Sequence, residues 1–226
     1  FYSPLRRPWA TNIYDFNEII TPIFETTELF RKPLGKFSDV VLKEMYTFED
    51  RNNSSLTLRP EYTTPMIRSA ITNNLFKDLP IKLFGIGPMF RRERPQKGRY
   101  RQFNQINFEV FGSNDYLADL ELITLANDIL KSLLPNSKFN LKLNTLGQRK
   151  NLIEYKTRLS KYFYDNKNKL SNESREKIKS NPLRILDSKN DDDIELSKSA
   201  PSINDYIDNE DKVHFEELKK GLDFNG

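Results

Sequence analysis

The chain has 226 residues with a formal net charge of +4, and 37% of its residues are hydrophobic, which is too many for a disordered chain. It has no cysteine and a single histidine, so disulfides, thiol catalysis and cysteine-ligated metals are excluded, and histidine-rich zinc sites are disfavoured. No apolar run approaches the length of a membrane-spanning helix, and the mildly basic charge favours an anionic partner.

Short strands and helices are predicted for the first part of the chain. Pro22 places the β-rich residues around it at a sheet edge or a strand end. The predicted elements, in chain order, are an amphipathic run at 9–16, a β-rich stretch at 17–25, a helical turn at 27–30, strands at 45–48 and 56–60, and a helix at 63–76 with Thr63 or Thr64 as its N-cap.

A long hairpin and a helix follow, and then the composition changes. Two strands, 81–93 and 102–111, flank a basic loop, and residues 115–134 carry apolar side chains at helical spacing. The alternation at 139–145 predicts another strand. After Gly147 the chain is rich in lysine, asparagine, serine and aspartate, with helices expected near 148–170, 173–180 and 210–221, a short strand at 183–187, and a helix start or loop at 191–193. We therefore predict one domain over 1–146 and a helical module over 147–226.

The loop of the hairpin is the most informative segment. Six of the eleven residues from Arg91 to Arg101 are basic, and five of these are arginine. The planar guanidinium suits pairs of phosphate oxygens better than a lysine does. A basic hairpin could equally be an ordinary solvated surface or a binding site for a nucleic-acid backbone.

The two strands also carry an unusual face. With period two, Phe103, Gln105, Asn107, Glu109 and Phe111 share one face, while Ile106, Phe108 and Val110 form an ordinary core face. Polar residues on such a strand make sense as the floor of a pocket. Glycines at 85 and 87 are expected to leave room there for a ligand.

This hairpin, residues 90–103, resembles motif 2 of the class II aminoacyl-tRNA synthetases, and in detail that of the histidyl-tRNA synthetase family. Residues 21–30 resemble motif 1 of that family, 43–48 and 56–61 its amino-acid-binding region, and 181–189 its helical insertion. The resemblance implies an α+β fold, with an antiparallel sheet flanked by helices and followed by the small helical insertion module. It also implies a homodimer formed through motif 1.

The family resemblance implies a reaction in the cytoplasm during translation: histidine is activated with ATP and Mg²⁺ and passed to tRNA(His). Carried over by matching positions, Arg91 is the catalytic arginine that bridges the α-phosphate and the substrate carboxylate. The histidine-binding residues are Glu61, Thr63, Arg91, Gln105 and Glu109, and the ATP-binding residues are Arg91, Glu93, Arg99 and Phe103. No metal ligand is assigned. Asn104 stands where many members carry histidine, but period two directs it away from the pocket.

The resemblance also indicates what is missing. The family's second histidine motif, motif 3 and the anticodon-binding domain are expected beyond residue 226, so the chain is expected to be an incomplete fragment that is inactive alone. Two alternatives share the fold: a histidine-binding regulatory subunit of ATP phosphoribosyltransferase, and a synthetase-like module of a stress-sensing kinase. The complete ATP loop with Arg99 and Phe103 argues against both. The basic residues of 149–169 are taken as a solvated face or a tRNA contact, and His214 as structural.

Overall fold

The structure, a computed structural model, describes residues 13–34 and 44–225. The chain divides into two compact units, residues 1–133 and 134–226. No helix in the described ranges is long and apolar enough to cross a membrane. The predicted boundary at 146/147 and the identity of the second unit as an insertion domain stay predictions.

The first unit contains strands and helices in alternation. Its elements are β1 Asn17–Glu18, β2 Phe24–Thr26, α1 Thr27–Leu34, β3 Tyr46–Glu49, β4 Ser55–Leu58, α2 Thr63–Thr72, a 3-10 turn Leu75–Lys77, β5 Ile81–Phe90, β6 Gln102–Phe111 and α3 Tyr116–Leu133. The predicted hairpin and helices are therefore confirmed within a few residues. The first half of the amphipathic run at 9–16 lies outside the described residues.

Two small sheets organise this unit. One has the order β1-β5-β6 and the other β2-β4-β3. All pairs are antiparallel except β1 with β5, which is parallel. The long connection between β1 and β5, which includes the second sheet and α2, permits this parallel pairing. The α+β class is confirmed, with a mixed rather than wholly antiparallel main sheet.

The main sheet is covered on both faces. Tyr62, Met66 and Ala70 from the start and body of α2 pack on one face, against Leu83 and Met89. The core of the other face is a cluster of Phe16, Phe84 and Leu125, with Phe108 and Val110 beside it. The predicted core face of β6 is therefore confirmed, and the polar row lies on the side of α2.

The second unit is helical from residue 149 onward, within the residues that the structure describes. Its elements are α4 Arg149–Asp165, a 3-10 turn Lys167–Lys169, α5 Asn172–Ser180, α6 Leu183–Leu186, α7 Asp191–Ser197, a 3-10 turn Ile203–Asp205 and α8 Asn209–Asn225. Asn151, Tyr155, Leu159 and Phe163 recur every fourth residue on α4 and are all buried. This stripe anchors a core with Ile178, Ile185 and Leu196 of the following helices.

Two predicted strands of this region are wrong. Residues 139–145 pair with no strand among the described residues, and Phe139 and Leu141 are exposed. Alternation alone cannot make a strand without a partner for its backbone. The segment 183–187 instead begins helix α6, with Pro182 at its N-cap. Proline suits a helix start because its φ is fixed near the helical value.

Candidate active site on the β5–β6 hairpin

The register of the hairpin confirms the predicted faces. Asn107 lies opposite Gly85, and Gln105 lies opposite Gly87, so these four residues share one face. Asn104 is exposed on the other face, away from the polar row as expected.

The two glycines do not leave their space open for a ligand. A Cβ atom on Gly85 would lie 2.5 Å from Cε1 of Tyr62. A Cβ atom on Gly87 would collide with Nη2 of Arg59. The prediction that these glycines make room for a ligand is therefore wrong: the protein's own Tyr62 and Arg59 occupy that room.

The polar side chains beside the glycines form a connected row. Oε1 of Glu109 accepts hydrogen bonds from Thr63 Oγ1 at 2.6 Å and from Asn107 Nδ2 at 2.7 Å. Asn107 Oδ1 accepts from Gln105 Nε2 at 3.2 Å. The structure thus brings together three predicted histidine-binding residues, Thr63, Gln105 and Glu109.

This row ends in acceptor atoms that the described chain does not satisfy. Oε1 of Gln105 is buried and has no hydrogen-bond donor among the described residues. Both hydrogen bonds to the Glu109 carboxylate from the described part of the chain go to Oε1, which leaves Oε2 as a second acceptor. Buried polar atoms in native proteins are nearly always paired, so an unpaired acceptor indicates a place for a ligand or water donor.

Asn107 is a member of this row that sequence reasoning did not assign to the site. It binds Gln105 and Glu109 at once and so orients both side chains. Its amide also lies 3.4 Å from Thr63 Oγ1. The period-two face contained the signal, because Asn107 stands between two assigned residues on the same face.

Glu61 has a structural role at the start of α2, and its predicted role in binding histidine stays a prediction. Its two carboxylate oxygens accept from the backbone N–H of Thr64 at 3.0 and 3.2 Å. The carboxylate therefore caps α2, whose N-cap residue Tyr62 makes no side-chain capping bond. The predicted capping by Thr63 or Thr64 is wrong. Glu61 lies two residues before Thr63, but within the described ranges no hydrogen bond joins it to the polar row.

The predicted ATP-binding residues gather at the other end of β6. The Arg91 guanidinium lies 5.3 Å from the centre of the Phe103 ring, a cation–π contact. Its Nε donates to the Pro60 carbonyl at 2.8 Å, which fixes the side chain. Glu93 lies between two arginines, with Oε1 3.9 Å from Arg91 Nη1 and Oε2 3.5 Å from Arg99 Nη1.

The basic loop closes in a tight turn. Gln96 and Arg99 exchange two backbone hydrogen bonds, and Gly98 between them has a φ of +81°. That left-handed conformation favours glycine because it has no Cβ atom. The turn leaves Lys97 and Arg99 exposed, so their charges are available to an anion.

The site therefore has two chemically different ends on one strand face. Phe103 and Glu109 are six residues apart on β6, which corresponds to roughly 20 Å. Hydrogen-bond acceptors lie at the Glu109 end, and cations with an aromatic ring lie at the Phe103 end. A ligand with donors at one end and phosphates with an aromatic ring at the other matches this arrangement.

A family model described as the tRNA synthetase class II core domain (G, H, P, S and T) matches residues 46–213. The match covers most of the chain and includes the whole hairpin. The chain belongs to the class II tRNA synthetase core domain family. Within a class II core domain, the hairpin face described above is the natural candidate for the active site.

Similar proteins include the histidine–tRNA ligase of Wolbachia pipientis subsp. Culex pipiens (strain wPip), 48% identical over 94% of this chain and 52% of that relative. The apo histidyl-tRNA synthetase of S. aureus superposes with a TM-score of 0.68 at 32% identity, over 96% of this chain and 48% of that one. This core domain thus spans about half the length of the curated relatives it matches.

A third comparison concerns the fold alone. An ATP phosphoribosyltransferase regulatory subunit/histidyl-tRNA synthetase from Bacillus halodurans C superposes with a TM-score of 0.57 at 19% identity, over 94% of this chain and 57% of that one. The class II core fold is therefore shared with a protein whose name includes a regulatory subunit, and fold cannot separate the two activities.

Proposed function

We propose that this core domain is part of a histidine–tRNA ligase. The observation that carries the proposal is the acceptor row of Gln105 and Glu109 on the same strand face as Arg91 and Phe103. The ligase activates L-histidine with ATP to histidyl-adenylate and transfers the histidyl group to the 3′ end of tRNA(His). The similarity to named histidine–tRNA ligases supports this assignment.

Activation is an in-line displacement at phosphorus. A carboxylate oxygen of histidine bonds to the α-phosphorus of ATP, and the bond to the bridging oxygen breaks to release pyrophosphate. Negative charge accumulates on the α-phosphoryl oxygens in the transition state. Arg91, held by Pro60 and Phe103, supplies a fixed cation for that charge.

The acceptor row suits the amino acid end of the substrate. The ammonium group and an imidazole N–H are donors, and the buried Oε1 of Gln105 and the second carboxylate oxygen of Glu109 are acceptors. Thr63 and Asn107 hold Glu109 in place without using its second oxygen. Such a pocket discriminates strongly against analogues that lack a donor, because the buried oxygen of Gln105 would stay unpaired. Glu61 belongs to this pocket by the family resemblance.

The ATP end uses the remaining residues. Phe103 offers a ring for the adenine base, and Glu93 offers a carboxylate for the adenine amino group. Arg99 binds the terminal phosphates in this proposal, and its two-thirds exposure on the basic loop is compatible with that role. Mg²⁺ enters as the ion that accompanies ATP. Within residues 13–34 and 44–225 no group of three or more acidic or histidine side chains fits a metal ion, so no step is assigned to it.

The partners of the complete protein are tRNA(His) and a second copy of itself, in the cytoplasm. The homodimer is proposed through the motif 1 region, residues 21–30. An apolar groove of about 420 Å³ between α1 and α2, lined by Leu29, Ile67 and Ile71 among others, supports an interface there. Ile71 is 63% exposed, and pairing would cover it.

Histidine-dependent ATP–pyrophosphate exchange on the complete gene product tests this proposal. We expect exchange in the wild type and a loss of roughly 10²–10³-fold in Arg91→Ala, the range for removing one transition-state donor. The matched control is Arg92→Ala, whose side chain is exposed on the adjacent position. Histidine binding without any exchange would contradict the ligase and favour a histidine-binding regulatory subunit.

A further inference from the structure

Arg59 is a buried cation that the proposed reaction does not use. It lies just after β4, and only 3% of its surface is exposed. Among the described residues its side-chain hydrogen bonds all go to uncharged oxygens. Burying a guanidinium without a carboxylate partner is costly, and an apolar residue of similar size would avoid that cost. Stability alone is therefore a poor explanation for an arginine at this position.

The side chain joins two segments that are distant in sequence. Nε donates to the Pro88 carbonyl at 2.9 Å, near the end of β5. Nη1 donates to the Thr21 carbonyl at 2.9 Å, to Thr21 Oγ1 at 3.1 Å and to the Pro22 carbonyl at 3.4 Å. The guanidinium also lies 4.5 Å from the centre of the Tyr62 ring. Arg59 therefore links the segment before β2 to strand β5, which leads into Arg91.

The backbone around Arg59 completes this connection. Its N–H donates to the Ile23 carbonyl at 2.8 Å, and its carbonyl accepts from the Phe90 N–H at 3.0 Å. The next residue, Pro60, accepts the Nε hydrogen bond of Arg91. Gly87 permits the close approach, because a Cβ atom there would collide with Arg59 Nη2. The separation between Arg91 and the Thr63 end of the polar row thus depends on how residues 59–60 are held.

We propose that Arg59 is a positioning residue for the activation step. Its hydrogen bonds join Pro88 to the Thr21–Pro22 segment. They thereby fix the distance between the Arg91 guanidinium and the acceptors of Gln105 and Glu109, which histidine must span when its carboxylate reacts at the α-phosphate. This inference rests on the proposed function, because it assigns Arg91 to the α-phosphate. A displacement of about 1 Å in such a group is enough to slow a reaction about a hundredfold.

The test compares Arg59→Lys with Arg51→Lys in the complete gene product. Lysine keeps the charge of Arg59 but cannot reproduce its fork of donors. Arg51 is the matched control: it is exposed in the turn between β3 and β4 of the same unit, outside the regions assigned to the substrates or to the interface. We expect Arg59→Lys to lower kcat for exchange about a hundredfold and to change the KM for histidine less than about threefold. Arg51→Lys is expected to change neither by more than about threefold.

Two further measurements separate positioning from simple destabilisation. Amide hydrogen exchange of Phe90 is expected to quicken in Arg59→Lys and to stay unchanged in Arg51→Lys, whether or not the enzyme turns over. Thr21→Val removes one acceptor of Nη1 with little change in volume, and it is expected to lower kcat about fivefold without loss of folding.

The outcomes are distinguishable. A wild type without histidine-dependent exchange overturns the proposed function. If the wild type is active, unchanged protection of the Phe90 amide against hydrogen exchange in Arg59→Lys overturns the proposal, because Arg59 would then not hold the end of β5. Faster Phe90 exchange with kcat within about threefold of wild type shows that Arg59 serves stability alone, which also overturns the positioning role.

Discussion

Each of the two units contains a cluster of polar side chains, but the clusters are satisfied to different degrees. In the second unit, the buried carboxylate of Asp193 accepts four hydrogen bonds. Oδ1 accepts from the Ser171 N–H, and Oδ2 accepts from the hydroxyls of Ser171, Ser174 and Ser188 at 2.6–2.7 Å. This carboxylate joins the starts of α5 and α7 and the loop between α6 and α7.

The hairpin cluster in the first unit is only partly satisfied. Glu109 accepts two hydrogen bonds through one oxygen, and Gln105 has a buried oxygen with no donor in the described residues. A fully satisfied cluster stabilises the fold by itself, whereas an unsatisfied one needs a ligand or water. The comparison predicts that the same chemical change, carboxylate to carboxamide, has opposite consequences in the two units.

Among the variants that test this comparison, Glu109→Gln is expected to give the largest effect. The carboxamide keeps an oxygen for Thr63 and Asn107 but replaces the free acceptor with a donor. We expect kcat/KM for histidine in ATP–pyrophosphate exchange to fall about a hundredfold, while the free energy of unfolding changes by less than about 1 kcal/mol. Asn104→Leu, on the other face of β6, is the control and is expected to leave kcat/KM unchanged. A destabilised variant with normal kinetics would mean that Glu109 serves the fold and not the substrate.

Asp193→Asn is expected to show the reverse pattern. An asparagine amide cannot accept three hydroxyl donors on its nitrogen, so the serines lose partners. We expect a loss of about 2 kcal/mol in the stability of the second unit, measured by thermal unfolding followed by circular dichroism. The control Asp192→Asn changes an exposed neighbour on the same turn. An unchanged stability of Asp193→Asn would contradict the claim that the Asp193 cluster, unlike the hairpin cluster, stabilises the fold.

Arg99→Ala tests the opposite end of the hairpin face. Its ion pair with Glu93 is exposed, so stability is expected to change by less than about 0.5 kcal/mol. Loss of a charged contact to phosphate is expected to raise the KM for ATP about tenfold. Arg101→Ala provides the control on the same loop, and equal effects of both variants would indicate general electrostatic attraction instead of a specific contact.

The smallest expected effect is a pH dependence confined to the second unit. Burial raises the pKa of Asp193, but the hydrogen bonds from Ser174, Ser171 and Ser188 outweigh it and lower that pKa below its usual 3.8. The stabilisation is therefore present above pH 3.8 and is lost as the pH falls through the lowered pKa. The melting temperature should decline below pH 3.8 less steeply in Asp193→Asn than in the wild type; equal slopes would contradict this.

Local pattern predicted the hairpin well and its surroundings less well. Strand β6 has the predicted bounds, because alternation and turn residues carry that information within ten residues. The strand predicted at 139–145 fails because pairing depends on a distant partner, which the pattern cannot supply. The helix at 183–186 was missed for the related reason that a short apolar run fits either structure.

The predictions for the site divide in the same way, into those that a motif or a strand pattern supports and those that depend on distant residues. Thr63, Gln105 and Glu109 are predicted together and lie together: the family resemblance indicates all three, and the strand period also places Gln105 and Glu109 on one face. The roles of Gly85 and Gly87 were misjudged, because the side chains that fill their space come from residues 59 and 62. The burial of Arg59 depends on the carbonyls of Pro88 and Thr21, which are 29 and 38 residues away in the sequence, and no local pattern indicates it.

The central claim, that the unpaired acceptors of the hairpin face bind the amino acid, is tested most directly by a nuclear magnetic resonance titration of the complete gene product with L-histidine. We expect the side-chain amide signals of Gln105 and Asn107 to shift saturably, while the backbone amides of Ser171 and Ser174 stay fixed. Saturable histidine binding that leaves the Gln105 and Asn107 signals in place would contradict the account.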